Sequence, residues 1–222
     1  GYRQTTPEEI VQIDSTGTVF GLGLPAGLPA GAYDAGDVSP DGATMFLNAG
    51  GADFLYEVDL ATLIVTSTAI TGDIGVVGDW AFNPVDGLLY GGDSADTELA
   101  TLDPATGIRT DLAVTGLPPS PGFGGAWFTG AGELFLYSND GNILQIDLSG
   151  PPTIVLTQAG PASTNYDAAA CVQGVVGAAK NMAGTSTGLP ATMTIDYVFE
   201  NLSLTTDMVN LLAADDLVAV FG

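Results

Sequence analysis

The stretch that decides the fold is Gly78 to Asp103, GDWAFNPVDGLLYGGDSADTELATLD. Two short apolar runs, Trp80–Phe82 and Leu88–Tyr90, flank Asn83-Pro84-Val85-Asp86-Gly87. A third run, Glu98–Leu102, closes on Asp103-Pro104-Ala105-Thr106-Gly107. Pro fixes φ and Gly accepts positive φ, so Asn-Pro and Asp-Gly mark turns between runs of strand length. The pattern recurs along the chain. Turn aspartates Asp14, Asp59, Asp103 and Asp147 are spaced 45, 44 and 44 residues apart, and turn glycines Gly42, Gly87 and Gly132 are spaced 45 and 45. A repeat of that period with four strands per unit predicts β-propeller blades.

Working outward, Ile10–Ile13 and Thr18–Phe20 match the third and fourth strands of a unit, after a leader over residues 1–9. Thr44–Leu47, Phe54–Val58 and Leu63–Ile70 supply the next unit. Arg109–Val114 ends the unit after that, and Ala126–Phe128, Leu134–Tyr137, Ile143–Ile146 and Thr153–Thr157 form the last. The chain therefore opens on half a blade, and residues 165–180 are expected to return as the missing inner strands. The expectation is an all-β, four-bladed propeller over residues 1–174, closed by strands from both termini; the alternative is that a neighbouring molecule supplies the final strand.

After Gly174 the repeat stops. Residues 175–222 form a β extension in which Ala191, Met193, Ile195, Tyr197 and Phe199 alternate with Thr192, Thr194, Asp196, Val198 and Glu200. That is the pattern of a half-buried strand. These 48 residues are too few for an independent sandwich, which takes about 100, so they need a partner.

Composition narrows the function classes. The net charge of −23, with Arg3, Arg109 and Lys180 as the cations, disfavours nucleic acid and anionic membranes, both of which need a basic surface. A hydrophobic content of 46% opposes disorder. The 222 residues contain no run long and apolar enough to span a membrane and no evident signal peptide, so the expected source is a processed secreted protein or part of a longer chain. Cys171 is the sole cysteine and excludes an intrachain disulfide. Histidine is absent, which removes Ser-His-Asp triads, Cys-His pairs and ordinary zinc sites. Gly184-Thr185-Ser186-Thr187-Gly188 matches a nucleophile elbow in letters only, without a base or a strand–turn–helix around it. We therefore expect no enzyme.

The chain carries several candidate sites. Asp34, Asp79 and Asp167 fall where inner strands begin, with Gly124 at the third equivalent position, and the spacings of 45, 45 and 43 place them around one mouth of the central channel. Crowded carboxylates there suit a hard cation such as Ca²⁺; the simpler reading, placed first, is that each caps its own turn through backbone N–H groups. The segment Ser138–Asn142 lacks the spaced ligands of an EF-hand. Trp80 and Trp127 are expected to pack between blades, with exposed stacking on a sugar as the alternative. Asp34 or Asp79 would be the carboxylates of a competing glycan-active reading. Asn201-Leu202-Ser203 is a glycosylation sequon.

The repeats resemble propeller-like domains of large bacterial surface proteins, through DWAFNPVDGLLYGGD (79–93), LDPATG (102–107) and GGAWFTGAGELFLYS (124–138). The tail, through GVVGAAKNM (174–182), ATMTIDYVFENLS (191–203) and LAADDLVAVFG (212–222), is similar to the first strands of the immunoglobulin-like repeat that follows such propellers in adhesins. The resemblance implies an extracellular, cell-surface structural or adhesive role, and makes Lys180 a candidate for an isopeptide bond assisted by Asp196 or Glu200. An apolar strand face of Met193, Ile195, Tyr197 and Phe199, on a Gly/Ser/Thr-rich link, adds a further expectation. The tail is donated to another copy, building a homopolymer whose ligands, if any, are glycans or other surface molecules.

Overall fold

The computed structural model describes residues 1–3, 8–13, 16–49, 52–73, 75–119, 122–162 and 168, together with the backbone of two strands within 176–183 and 194–201. It divides into two units, Gly1–Gln173 and Gly174–Gly222. The first unit is a four-bladed β-propeller of antiparallel sheets, without a helix among the described residues.

The first sheet holds β1 (Tyr2–Arg3), β2 (Glu9–Ile13) and β3 (Val19–Gly23) in that order. The second holds β4 (Ala35–Val38), β5 (Thr44–Asn48), β6 (Phe54–Asp59) and β7 (Val65–Ala69). The third holds β8 (Ala81–Phe82), β9 (Leu89–Asp93), β10 (Glu98–Leu102) and β11 (Arg109–Ala113). The fourth holds β12 (Phe123–Phe128), β13 (Leu134–Ser138), β14 (Asn142–Asp147) and β15 (Thr153–Ala159). In the second unit β16 (Val176–Ala183) pairs with β17 (Thr194–Asn201) as an antiparallel two-stranded sheet.

Turn chemistry fixes this order locally. Gly42, Gly87 and Gly132 have φ of 71°, 78° and 81°, the left-handed region that the hairpin between the first and second strands of a blade demands. Between the third and fourth strands the turn aspartates bind the loop backbone. Asp59 accepts from the amides of Ala61 (3.0 Å) and Thr62 (2.8 Å). Asp103 accepts from Ala105 N (2.9 Å) and Thr106 Oγ1 (2.7 Å), and Asp147 from Ser149 N (2.8 Å). These bonds hold all three carboxyls below the usual carboxylate range: for Asp59 the Thr62 amide and hydroxyl lead, for Asp103 the Thr106 hydroxyl, for Asp147 the Ser149 amide and hydroxyl. A depressed carboxyl adds stability above its unfolded value, and that stability is lost as pH falls through the folded value. Denaturation midpoints should therefore be level near neutrality and fall below about pH 4. Replacing the three aspartates by asparagine should lower the neutral midpoint and flatten the acid limb; an unchanged acid limb would show that other groups set it.

Two sequence expectations change. The leader is partly a strand, because Tyr2–Arg3 pairs with β2 and the Tyr2 ring meets Tyr33 edge-on at 5.4 Å. Leu63 does not start β7. It takes φ 56° in the turn, where the equivalent hairpin has Gly107 at 71°, and the strand begins at Val65. The expected closing strand over 165–180 lies outside the described residues apart from Ala168 and the first part of β16. A Cβ on Gly125 would stand 2.9 Å from the Ala168 methyl, so Ala168 sits beside β12.

Consecutive blades are joined by three apolar clusters. Ile10, Tyr33, Met45, Leu47 and Val58 join the first to the second. Phe46, Leu55, Trp80, Leu89 and Leu102 join the second to the third. Tyr90, Leu99, Phe128, Leu134, Leu144 and Ile146 join the third to the fourth. At the outer rim, parallel bridges Ala26↔Ile64, Thr71↔Ile108 and Thr115↔Thr153 repeat the same connection at each step.

Candidate functional site

The inner strands are stitched by carboxylates. Asp79, 1% exposed, lies just before β8. Its Oδ1 accepts from Trp80 N (2.9 Å) and Gly36 N (3.4 Å), and its Oδ2 from Ala126 N (2.7 Å). One side chain thus ties β4 and β12, in the blades on either side, to its own. Asp37 repeats the device one blade earlier, accepting from Val38 N at 2.7 Å and Phe82 N at 2.8 Å. Backbone N–H groups occupy the Asp79 oxygens, as the capping reading expects, but two of the three donors belong to neighbouring blades. Asp34, one of its sequence counterparts, is exposed, and Asp167 lies outside the described residues. Among the described residues no three of His, Cys, Asp or Glu stand together as a metal site.

Trp80 is 2% exposed inside the second junction, with its Nε1 directed at Asn48 Oδ1 (3.5 Å). Trp127 is half-buried and stacks on Phe135 at 5.2 Å and 7°. Of the two tryptophans, Trp127 is the one that keeps ring surface exposed. In the second unit the register sets Lys180 opposite Tyr197, Asn181 opposite Asp196, Met182 opposite Ile195, Ala178 opposite Phe199 and Val176 opposite Asn201. Met193 lies outside the described residues.

Sequence reading missed a groove of about 490 Å³ between the third and fourth blades. Its walls include Val85, Asp86, Tyr90, Glu133, Gln145 and Asp147. Asp86 accepts the Tyr90 hydroxyl at 2.7 Å and the Leu88 amide at 3.0 Å. Burial and that bond to Asp86 push the Tyr90 phenol up, so it stays a donor. Glu133 accepts from Gln145 Nε2 (3.2 Å) and Thr129 Oγ1 (3.1 Å). Val85 and Val155 add exposed apolar surface. With three carboxylates and no cation in its lining, the groove suits a polyhydroxylated or cationic ligand and repels an anion. Its residues come from two blades, so no local motif marks them.

A buried ion cluster was missed as well. Arg109, at the start of β11, bonds Asp93, Asp111 Oδ1 (2.7 Å from Nη2) and Gly75 O (2.9 Å from Nη1). Burial works against its charge, but the Asp111 and Asp93 carboxylates outweigh that and hold the guanidinium above its usual range. The available signal was scarcity: one of three cations in a chain of charge −23.

A family model described as "Repeat of unknown function (DUF6923)" matches residues 1–173. No curated protein matches the chain. An auxiliary nutrient binding protein from Bacteroides ovatus is similar in structure, with 16% identity, TM-score 0.50, and coverage of 69% of this chain and 38% of its own. Hydrazine synthase of Kuenenia stuttgartiensis gives 16% identity, TM-score 0.45, and coverage of 79% and 46%. A catalytically inactive virginiamycin B lyase from Staphylococcus aureus gives 14%, 0.45, and coverage of 68% and 48%. The chain spans less than half the length of each of these three structures. They are β-propellers, and the likeness is one of fold. No helix among the described residues is long and apolar enough to cross a membrane.

Proposed function

The chain belongs to this family of repeats, and on that premise we propose a non-catalytic, extracellular structural protein. It is a subunit of a cell-surface filament or adhesin stalk that polymerises by donating its C-terminal strands to the next copy. The observation that carries this reading is the β16–β17 pair, a sheet of two strands among the described residues of the second unit. A single hairpin is marginal in water, and three or more strands are needed for independent stability. The sequence alternation Ile195, Tyr197, Phe199 gives β17 an apolar side, and about 1.5–3 kcal/mol would be forgone for each large side chain left in water. Strand addition supplies both the backbone partners and that cover. A head-to-tail contact that does not close yields a fibre.

Electron microscopy of the full chain should show filaments that vanish in the Tyr197→Asp/Phe199→Asp variant. A monodisperse wild-type chain, or filaments unchanged by the variant, would remove this reading.

The groove between the third and fourth blades favours a second one, a glycan-binding propeller module. Acceptor carboxylates beside apolar Val85 and Val155 suit hydroxyl groups and the apolar face of a sugar ring. Binding on a glycan array, lost in Asp86→Ala, would establish that role; Ca²⁺ dependence of the same signal would add the cation.

A further inference from the structure

The groove between the third and fourth blades departs from the blade repeat. Tyr90, Glu133 and Gln145 in its lining stand where the preceding pair of blades has Met45, Leu88 and Thr101, at offsets of 45, 45 and 44 residues. Asp86 and Asp147, by contrast, recur one blade earlier as Asp41 and Asp103. The turn aspartates thus belong to the common scaffold. The polar groups added to them distinguish this junction from the one before it.

Those additions leave a lining rich in acceptors. Asp86 takes donors from Tyr90 and Leu88, and Glu133 takes them from Gln145 and Thr129. Such bonds hold the two carboxylates in place and leave about half of the roughly four lone-pair sites on each for a ligand. The Tyr90 hydroxyl, on a side chain 7% exposed, gives its proton to Asp86 and does not donate outward. A ligand must therefore bring both the donors and the positive charge. A single metal ion does not suit the groove, because among the described residues no three carboxylates stand close enough to share one. The charge is spread along the groove instead, and exposed Val85 and Val155 give it apolar walls. Its volume of about 490 Å³ lies within the about 300–1,000 Å³ of small-ligand sites.

Resting on the glycan reading above, we propose that the groove takes an amino sugar whose amine is free. Ammonium groups meet Glu133 and Asp86, hydroxyl groups fill the remaining acceptor sites, and the C–H face of a ring lies on Val85 and Val155. An N-acetylated sugar loses the charge, and a uronic acid is repelled by the carboxylates. A linear polyamine brings the charge without the hydroxyl groups or the ring.

Calorimetric titration of the full chain tests this, with glucosamine tetramer, its N-acetylated counterpart, galacturonic acid tetramer and spermidine as probes. The glucosamine tetramer should bind at least about tenfold more tightly than the N-acetylated one, the size of one charge-assisted hydrogen bond. The galacturonic acid tetramer should not bind, and EDTA should change nothing. Glu133→Gln should weaken the glucosamine tetramer about tenfold with an unchanged thermal midpoint, since that side chain is exposed. Asp41→Asn, the equivalent of Asp86 one blade earlier, should leave binding as it is, which separates the groove from the overall charge of −23. Equal binding of the N-acetylated tetramer, a requirement for Ca²⁺, or indifference to Glu133→Gln overturns the amino-sugar assignment and leaves the glycan reading standing. Spermidine binding as tightly as the glucosamine tetramer makes the groove a site for bare cations and overturns the assignment. If none of the three sugars binds, the glycan reading falls, and this inference with it.

Discussion

Asp79→Ala is expected to lower the unfolding free energy of the propeller by about 3–5 kcal/mol. The side chain is 1% exposed and accepts three backbone N–H groups, from Gly36, Trp80 and Ala126. Alanine strands the buried Trp80 and Ala126 donors and the part-buried Gly36 donor, and each unpaired buried N–H costs about 1–3 kcal/mol. The three penalties share one site and do not add fully. Because two donors belong to other blades, the loss is one of coupling between blades as well as of local capping. Asp79→Asn should fall between the two, since its Oδ1 still accepts while its amide nitrogen meets one N–H as donor against donor. Denaturant midpoints give the size. Hydrogen exchange gives the place: the Gly36, Trp80 and Ala126 amides should lose protection while those of the outer turns keep theirs. A loss under about 1 kcal/mol, the net worth of one ordinary hydrogen bond, would mean that the inner strands hold without this carboxylate.

The same residue marks how far a sequence carries. Position 79 stood out because it opens an inner strand at the blade period, and local reasoning expected it to bind backbone. Its partners at Gly36 and Ala126 are 43 and 47 residues away, and only the closed arrangement of blades brings them in. Asp37 performs a related task and carried no comparable signal. Turns were the most legible part, since Gly42, Gly87 and Gly132 answer to a backbone angle that only local chemistry sets. Leu63 shows the limit of that logic. A leucine held at positive φ reads as strand until the Asp59 loop around it is seen, whose carboxylate binds the Ala61 and Thr62 amides. The groove at Asp86, Glu133 and Asp147 was invisible because it is made by residues from two blades, and periodicity does not state which side chains of neighbouring blades meet.

Arg109→Met is expected to destabilise the third blade by about 3–5 kcal/mol, the usual result of removing one partner from a buried ion pair. The Arg109 and Asp93 side chains are 3% and 1% exposed, while Asp111 keeps 19% of its surface in water. Losing the guanidinium therefore harms Asp93 far more than Asp111. Asp93 retains the Ala95 amide at 2.7 Å, one hydrogen bond for a whole buried charge. Gly75 lies close against this carboxylate: a Cβ there would fall 1.8 Å from Asp93 Oδ2. The Gly75 carbonyl, which accepts from Nη1, is orphaned in the same stroke. A double-mutant cycle separates charge from shape. Arg109→Met/Asp93→Asn removes both buried charges while an amide keeps the Ala95 bond, so it should recover most of the loss, with a coupling energy of about 2 kcal/mol or more. The single variant's deficit should hardly respond to salt, because the pair is shielded from ions. If Arg109→Met costs under about 1 kcal/mol, the range of an exposed pair, or if the double variant is worse than the single, then this arginine serves by packing its stem and not by neutralising Asp93.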